Sequence, residues 1–268
     1  MSAQTLAGAS RGGVTIAIPN WNHELLLPRA IDSALRAVAH LRDDGVPGEV
    51  LAIDEASRDG SPTLLRQLEA LYHGDGLRVL SLADTDSLAA SRNLALANAR
   101  YRYLVFLDAD NELIPDNLPA FVKTLEKTGA AMAYGNLLVR TPTSRCAMNM
   151  LSNESVQQKL FQGQYYIDAF AVADRWQLLD VGGYEASYRA LEDQEMWLHL
   201  AANGRKIIFV PLAFGYYYVL PSSMATTAGE HAIGAERRLT RIYNQIKARP
   251  HLPLNSEMLR FHPALGYF

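Results

Sequence analysis

The triplet Asp108-Ala109-Asp110 is the sharpest chemical feature of the chain. It follows the apolar run Tyr103–Leu107, and strand alternation carried through it would point both carboxylates the same way. Paired hard oxygen donors suit Mg²⁺ or Mn²⁺, which take one or two carboxylates and complete their shell with phosphate oxygens and water. The same triplet also arises as turn residues or as a cap for a helix at Pro115, and its place after a strand favours the metal role. Two further acids, Asp54 and Glu55, follow the run Val50–Ile53, and Pro19, Asn20, Trp21 and Asn22 follow Val14–Ile18. A last acidic pair, Glu192-Asp193, opens an amphipathic segment. At a helix start the macrodipole favours an ionised carboxylate at Asp193, and a plain N-cap is the alternative reading of that residue.

The elements that must position these groups alternate between short apolar runs and helical periodicity. Val14–Ile18, Val50–Ile53, Leu77–Leu82 and Tyr103–Leu107 read as buried strands. Leu25–Leu41, a segment starting at Ser61-Pro62, and Ser87–Ala99 read as the helices between them. This alternation predicts an α/β fold with a mostly parallel sheet covered on both faces. Ligands of such sheets sit beyond the carboxyl ends of the strands, so Asp54, Glu55, Asp108 and Asp110 should gather on one edge. Like charges there repel unless a cation is present. No Gly-x-Gly-x-x-Gly or Walker lysine motif follows the first strand, which disfavours a Rossmann dehydrogenase and a P-loop nucleotidase.

The second half is less regular. Pro115–Lys127 reads as a helix, Ala130–Val139 as extended, Thr141–Ser155 as a polar loop, and Arg175–Asp180 as a short helix ending at Gly182-Gly183. Gln194–Asn203 is a helix with Gly204 just past its end. Lys206–Val210 and Ala213–Val219 read as two strands, and Glu236–Lys247 as a basic helix.

The 268 residues suffice for one domain with a short appendage. The expected division is a disordered N-terminus over 1–12, a regular α/β half over 13–112, a less regular half of the same domain over 113–233, and a helical tail over 234–268. A formal charge of −3 leaves no basic footprint for nucleic acid. The single cysteine, Cys146, makes no internal disulfide and no cysteine-rich metal site, in keeping with a reducing compartment. Met1–Gly13 lacks the apolar core of a signal peptide, and no apolar run is long enough for a bilayer, so the expected location is cytoplasmic. Arg237, Arg238, Arg241, Lys247 and Arg249 make the tail basic. A solvated helix is the simpler reading of it, and peripheral contact with an anionic membrane is the alternative.

Four segments in order resemble the family 2 glycosyltransferases of the GT-A fold. They are VTIAIPNWNHELLLPRAIDSAL (14–35), GEVLAIDEASRDGS (48–61), SLAASRNLALANARYRYLVFLDADNEL (87–113) and RWQLLDVGGYEASYRALEDQEMWLHL (175–200). The resemblance implies a single Rossmann-like mixed sheet, mostly parallel, flanked by helices. It also implies an inverting, Mn²⁺- or Mg²⁺-dependent transfer of a hexose from a nucleoside-diphosphate sugar, read here as UDP-linked. The acceptor would be a carbohydrate or lipid-linked hydroxyl, in surface polysaccharide or glycolipid synthesis. Pro19, Asn20 and Trp21 would line the nucleoside pocket. Asp54 and Glu55 would stand at an acidic pair contacting the nucleotide, with Glu55 where the family has aspartate.

By the same resemblance Arg92 would lie near the nucleotide, a surface arginine being its alternative. Asp108 would meet the ribose or the metal, Ala109 would line the donor site, and Asp110 would hold the metal. Asp193 would be the catalytic base, with Glu192, Gly182, Gly183 and Trp176 on the acceptor and sugar side. Trp197, on an apolar face, reads as core. Leu220 stands where the family often has a histidine, and His231 is a substitute only if its loop folds back. The loop Thr141–Ser155 and the segment Phe161–Phe170 are expected to shape the acceptor site. Three rivals remain. A sugar-1-phosphate nucleotidyltransferase would need a glycine-rich basic loop that 19–24 lacks. The others are a retaining enzyme of the same fold and a non-catalytic sugar-nucleotide-binding module.

Overall fold

The computed structural model describes residues 12–84, 87–141, 144–150, 167–186, 192–220, 261–262 and 266–267. The expected N-terminal tail, the basic helix over 236–247 and His231 lie outside the described residues.

The first half follows the alternation of the sequence. Strands β1 (Val14–Asn20), β2 (Gly48–Asp54), β3 (Leu77–Ser81) and β4 (Tyr103–Phe106) are linked by helices α1 (Leu27–Asp43), α2 (Ser61–Tyr72) and α3 (Leu88–Asn98). They form a parallel array in the order β3-β2-β1-β4. Successive strand residues face opposite sides of a sheet, and the core divides accordingly. Ile16, Ile18, Val50, Ala52 and Val105 join one apolar cluster with Ile31, Ala34 and Val38 of α1. Ala17, Leu51, Ile53, Leu104 and Phe106 join the other with Ala89, Ala95 and Leu96 of α3. Pro28 and Pro62 occupy first turns, where a missing N–H costs nothing. Ser87 caps α3 by accepting from the Ala90 N–H at 3.2 Å.

After β4 come β5 (Glu112–Leu113), α4 (Leu118–Thr128), β6 (Met132–Thr141), β7 (Ser144–Met150), β8 (Val172–Asp174), α5 (Arg175–Asp180), α6 (Glu192–Ala202) and β9 (Ile207–Tyr218). A small antiparallel pair, β10 (Phe261–His262) with β11 (Gly266–Tyr267), forms its own ladder, with β11 lying against β9. β8 pairs antiparallel with both β4 and β6, β9 runs parallel to β6, and β5 runs antiparallel to β9. Among the described residues nine strands thus make one mixed sheet. Trp197 is buried in the second cluster, and its indole N–H donates to the Ile167 carbonyl at 2.9 Å. No helix among the described residues is long and apolar enough to cross a membrane.

Three expectations need correction. Part of the polar stretch read as a loop, Ser144–Met150, is a strand paired with β6. Strands β5 and β8 are so short that no periodicity announces them. The two strands read on either side of Pro211 are one strand, β9, whose register against β6 shifts between Tyr134 and Leu137. A bulge of that kind accommodates a residue with no N–H to donate.

At the bulge Gly135 passes tightly between elements. A Cβ there would meet the Leu212 carbonyl at 2.5 Å and the Phe121 ring at 2.6 Å. Gly135→Ala is therefore expected to destabilise the fold by about 1–3 kcal/mol, the usual cost of overpacking, read as a lower denaturant midpoint with an unchanged slope.

Candidate active site

The loops after β1 and β2 are stitched together by side chains. Asn20, almost fully buried, donates from Nδ2 to Asp54 Oδ1 at 3.1 Å and to Ser57 Oγ at 3.2 Å. The Asn22 and Arg58 N–H groups are received by Ser57 Oγ and Asn22 Oδ1, at 2.9 and 2.7 Å. Glu55 is buried, and its N–H donates to the Asn20 carbonyl at 2.9 Å. Pro19 is buried in β1, whereas Trp21 is 53% exposed on the rim. Pro19, Asn20, Trp21, Asp54 and Glu55 therefore do share one corner of the carboxyl edge.

That corner is separate from the other acids. β1 lies between β2 and β4, so Asp54 and Asp108 leave strands about 10 Å apart at the usual interstrand spacing. The four carboxylates expected on one edge divide into two pairs.

Asp108 and Asp110 lie in a turn beyond β4, not on the strand itself, and the Asn111 N–H closes it on the Asp108 carbonyl at 2.9 Å. Ala109 is buried in the core, and Asp108 and Asp110 on either side of it are half-buried. The turn is held from α1. Arg29 donates to the Asp110 carbonyl at 2.5 Å while its guanidinium lies 3.6 Å from the centre of the Tyr218 ring. Ser33 Oγ receives the Leu113 N–H at 3.1 Å.

Two groups meet this turn that the sequence alone did not single out. Asp168 precedes β8, which runs antiparallel to β4, so the chain arrives at Asp168 on the edge where it leaves at Asp108. Tyr217, near the end of β9, has Asp168, Asp108, Asp110 and Asp193 all acting on its hydroxyl, and with burial they push its pKa up. Asp110 is pushed up to about 7, first by burial and then by the Asp108 and Asp168 carboxylates. Asp193 is pushed up to about 8 by burial and by Glu192, with Asp168 adding and Arg92 opposing. Asp108, Asp110, Asp168 and Asp193 thus all act on the Tyr217 hydroxyl across one gap, without three of them closing into a metal cage.

Arg92 joins its two sides. It is 3% exposed, donates from Nη1 to Glu192 Oε1 at 2.5 Å, and lies 3.6 Å from Asp108 Oδ1. The rings of Phe106 and Tyr184 flank its guanidinium at 5.6 and 5.7 Å. The next residue, Asn93, receives the Tyr184 N–H at 2.8 Å and donates to the Tyr184 carbonyl at 2.6 Å.

Gly182 and Gly183, both left-handed, end α5, and their N–H groups return to Leu179 and Leu178. They turn the chain toward the gap but offer it no side chain. Trp176 is not brought there. It follows β8, whose Asp174 pairs with Tyr103 at the start of β4, so it lies beyond the opposite edge of the sheet. There the Arg175 guanidinium sits 4.6 Å from its ring centre and donates to the last carbonyls of α3, at Leu96 and Ala99.

Residues 15–180 match the family model described as glycosyl transferase family 2. The chain belongs to this family. Succinoglycan biosynthesis protein ExoO of Rhizobium meliloti is 30% identical over 46% of the chain and 33% of its own length. The UDP-Glc:alpha-D-GlcNAc-diphosphoundecaprenol beta-1,3-glucosyltransferase WfgD of Escherichia coli is 28% identical over 46% of the chain and 45% of its own length. The matched part of this family 2 chain therefore spans less than half of either relative. Among solved structures, TarS of S. aureus with UDP-GlcNAc aligns at TM-score 0.64 and 14% identity, over 88% of this chain and 71% of that one. The mannosyltransferase PcManGT of Pyrobaculum calidifontis, with GDP-Man and Mn²⁺, aligns at TM-score 0.63 and 20% identity, over 92% and 69%. These are glycosyltransferases of the GT-A fold, which this chain shares.

The donor chemistry of the gap fits a hard divalent cation. Asp108 and Asp110 offer carboxylate oxygens, and Asp110 is pushed up by burial first and by the Asp108 and Asp168 carboxylates next. Among the described residues no three His, Cys, Asp or Glu side chains form a finished cage. Ligands from a diphosphate would have to complete the shell.

The sign of that charge is testable. Asp110 is raised above its unfolded value of 3.8, so its contribution to stability is present in acid and lost as the pH climbs through about 7. Asp110→Asn should then raise the melting temperature at pH 8 relative to the parent, with little difference at pH 4, and should remove any stabilisation by Mn²⁺.

Proposed function

We propose that this protein is an inverting, divalent-metal-dependent glycosyltransferase that moves a hexose from a UDP-sugar to an acceptor hydroxyl. The observation that carries this reading is the Arg92 guanidinium, which lies 3.6 Å from Asp108 and bonds Glu192 and so sets the Asp108–Asp110 turn near Asp193, one strand across from the Asn20–Asp54 corner. A nucleoside diphosphate has the right parts to span that edge. Its base and ribose would lie along Asn20, Asp54 and Glu55, and its phosphates would reach Asp108 and Asp110. The names of two relatives supply the donor class, since TarS was solved with UDP-GlcNAc and WfgD is a UDP-Glc transferase. WfgD also suggests a diphosphate-lipid-linked acceptor, and ExoO a place in surface polysaccharide synthesis.

Asp193 accepts the proton of the acceptor hydroxyl. The acceptor oxygen then bonds to the anomeric carbon from the face opposite the diphosphate. The bond from that carbon to the phosphate oxygen breaks with its electron pair leaving on the diphosphate, and the anomeric configuration inverts. A cation held by Asp108 and Asp110 would neutralise the charge gathering on the leaving group. The remaining wall of the gap, Asp168 and Tyr217, faces the transferred sugar.

A panel of nucleoside diphosphates with and without Mn²⁺ should give its largest rise in melting temperature for UDP with Mn²⁺, since a ligand of the native state stabilises it. A larger rise with GDP would overturn the donor assignment. Asp193→Asn should cost about 10²–10⁴-fold in kcat while the UDP-dependent rise is kept. Wild-type activity should climb with pH through about 8, because the base works only when ionised and is pushed up to about 8 in the free protein. Retention of the donor's anomeric configuration in the product, read by NMR, would exclude the inverting route.

A further inference from the structure

The helix that carries Arg92 also grips the segment that carries Asp193. Three successive contacts run from α3 to residues 184–192. Ser87 Oγ donates to the Ala186 carbonyl at 3.0 Å. Asn93 holds both backbone groups of Tyr184, at 2.6 and 2.8 Å. Arg92 reaches Glu192 at 2.5 Å. The last contact falls one residue before Asp193, at the first turn of α6. The Arg92 guanidinium is enclosed by Phe106 and Tyr184, which meet edge to face at 5.6 Å, so its direction is fixed by packing. Its nearer end is committed to Glu192, its farther end looks toward Asp108 at 3.6 Å, and little of it is open to a nucleotide.

We propose that Arg92 is a positioning residue that acts through Glu192. It holds the start of α6 so that Asp193 faces the gap at a fixed distance from Asp108 and Asp110, and it does not grip the nucleotide. This rests on the reading of Asp193 as the base. The charged and titratable groups that face Asp193 are Glu192 on its own helix, Arg92 on α3, Asp168 before β8, Tyr184 after α5, and Tyr217 on β9. Arg92 is the cation among them, so its loss also leaves Asp193 harder to ionise.

The test compares Arg92→Met, Arg92→Lys, Glu192→Gln, the double variant Arg92→Met with Glu192→Gln, and Asp193→Asn as reference. Each is assayed for kcat and donor KM, for the pH profile, and for UDP affinity with Mn²⁺ by calorimetry. Arg92→Met should lower kcat on the order of 10²-fold, the scale of a small displacement of a catalytic group, without weakening UDP. The acid limb of its profile should move to higher pH, and Arg92→Lys should recover part of the loss. Losses from Arg92→Met and Glu192→Gln should fail to add in the double variant, as they do for two halves of one contact. Arg92→Met strands a buried carboxylate and could unfold the chain. The double variant removes both charges, and it must then show the lowered kcat with UDP affinity retained.

Weakened UDP binding at near-normal kcat would overturn the proposal and return Arg92 to the nucleotide. So would full activity in the double variant. Full activity in Asp193→Asn would instead overturn the base assignment, separately from the UDP affinity of the Arg92 variants.

Discussion

The gap at the carboxyl edge depends on one buried guanidinium between opposed carboxylates. Asp108 and Glu192 come from different halves of the chain, and Arg92 touches one and approaches the other. A buried ion pair of this kind is weak evidence for stability, because stripping water from both partners offsets most of the attraction. Its value lies in geometry. A planar guanidinium fixed between two rings gives its partners one arrangement and no other. Burial first, and neighbouring carboxylates second, make Asp110 and Asp193 hold protons more tightly than free carboxyls do.

Sheet topology explains why these acids meet. β1, β2 and β4 all end on the same edge, as parallel strands must, and that brings Asn20, Asp54 and Asp108 into a row. The antiparallel entry of β8 adds Asp168 to that row from the other direction. α3 then runs back along the sheet and holds the start of α6 over it. The result is a corner at Asn20 and Asp54, a turn at Asp108–Asp110 and the carboxylate of Asp193 beyond it, each on a different element and each fixed by packing.

How much of this was legible follows from the range of the signal. Long apolar runs and helical periods are local, so β1 through β4, α1 and α3 could be read directly, as could the acids just past the strands. β5 and β8 are too short to carry a period. Pro211 argues against a strand interior, and only the bulge opposite Gly135 lets β9 run through it as one strand. Asp168 lay inside a segment expected to shape the site, but nothing local distinguished it. Its approach to Asp110 depends on the register of β8. Trp176 lies past the other edge because β8 carries the chain from the Asp168 side to Asp174 opposite Tyr103, which an aromatic side chain in the sequence does not announce. Arg92 was picked out by resemblance, but its partner 100 residues away could not be.

The antiparallel seating of β8 has a consequence for how a fault would spread through the sheet. Val172 is registered against both Val105 and Ala133, so this three-residue strand is the seam between the parallel array and β6. A slip of one residue there would turn its side chains to the opposite faces, and Asp168, four residues ahead of it, would be carried away from Asp110 as well.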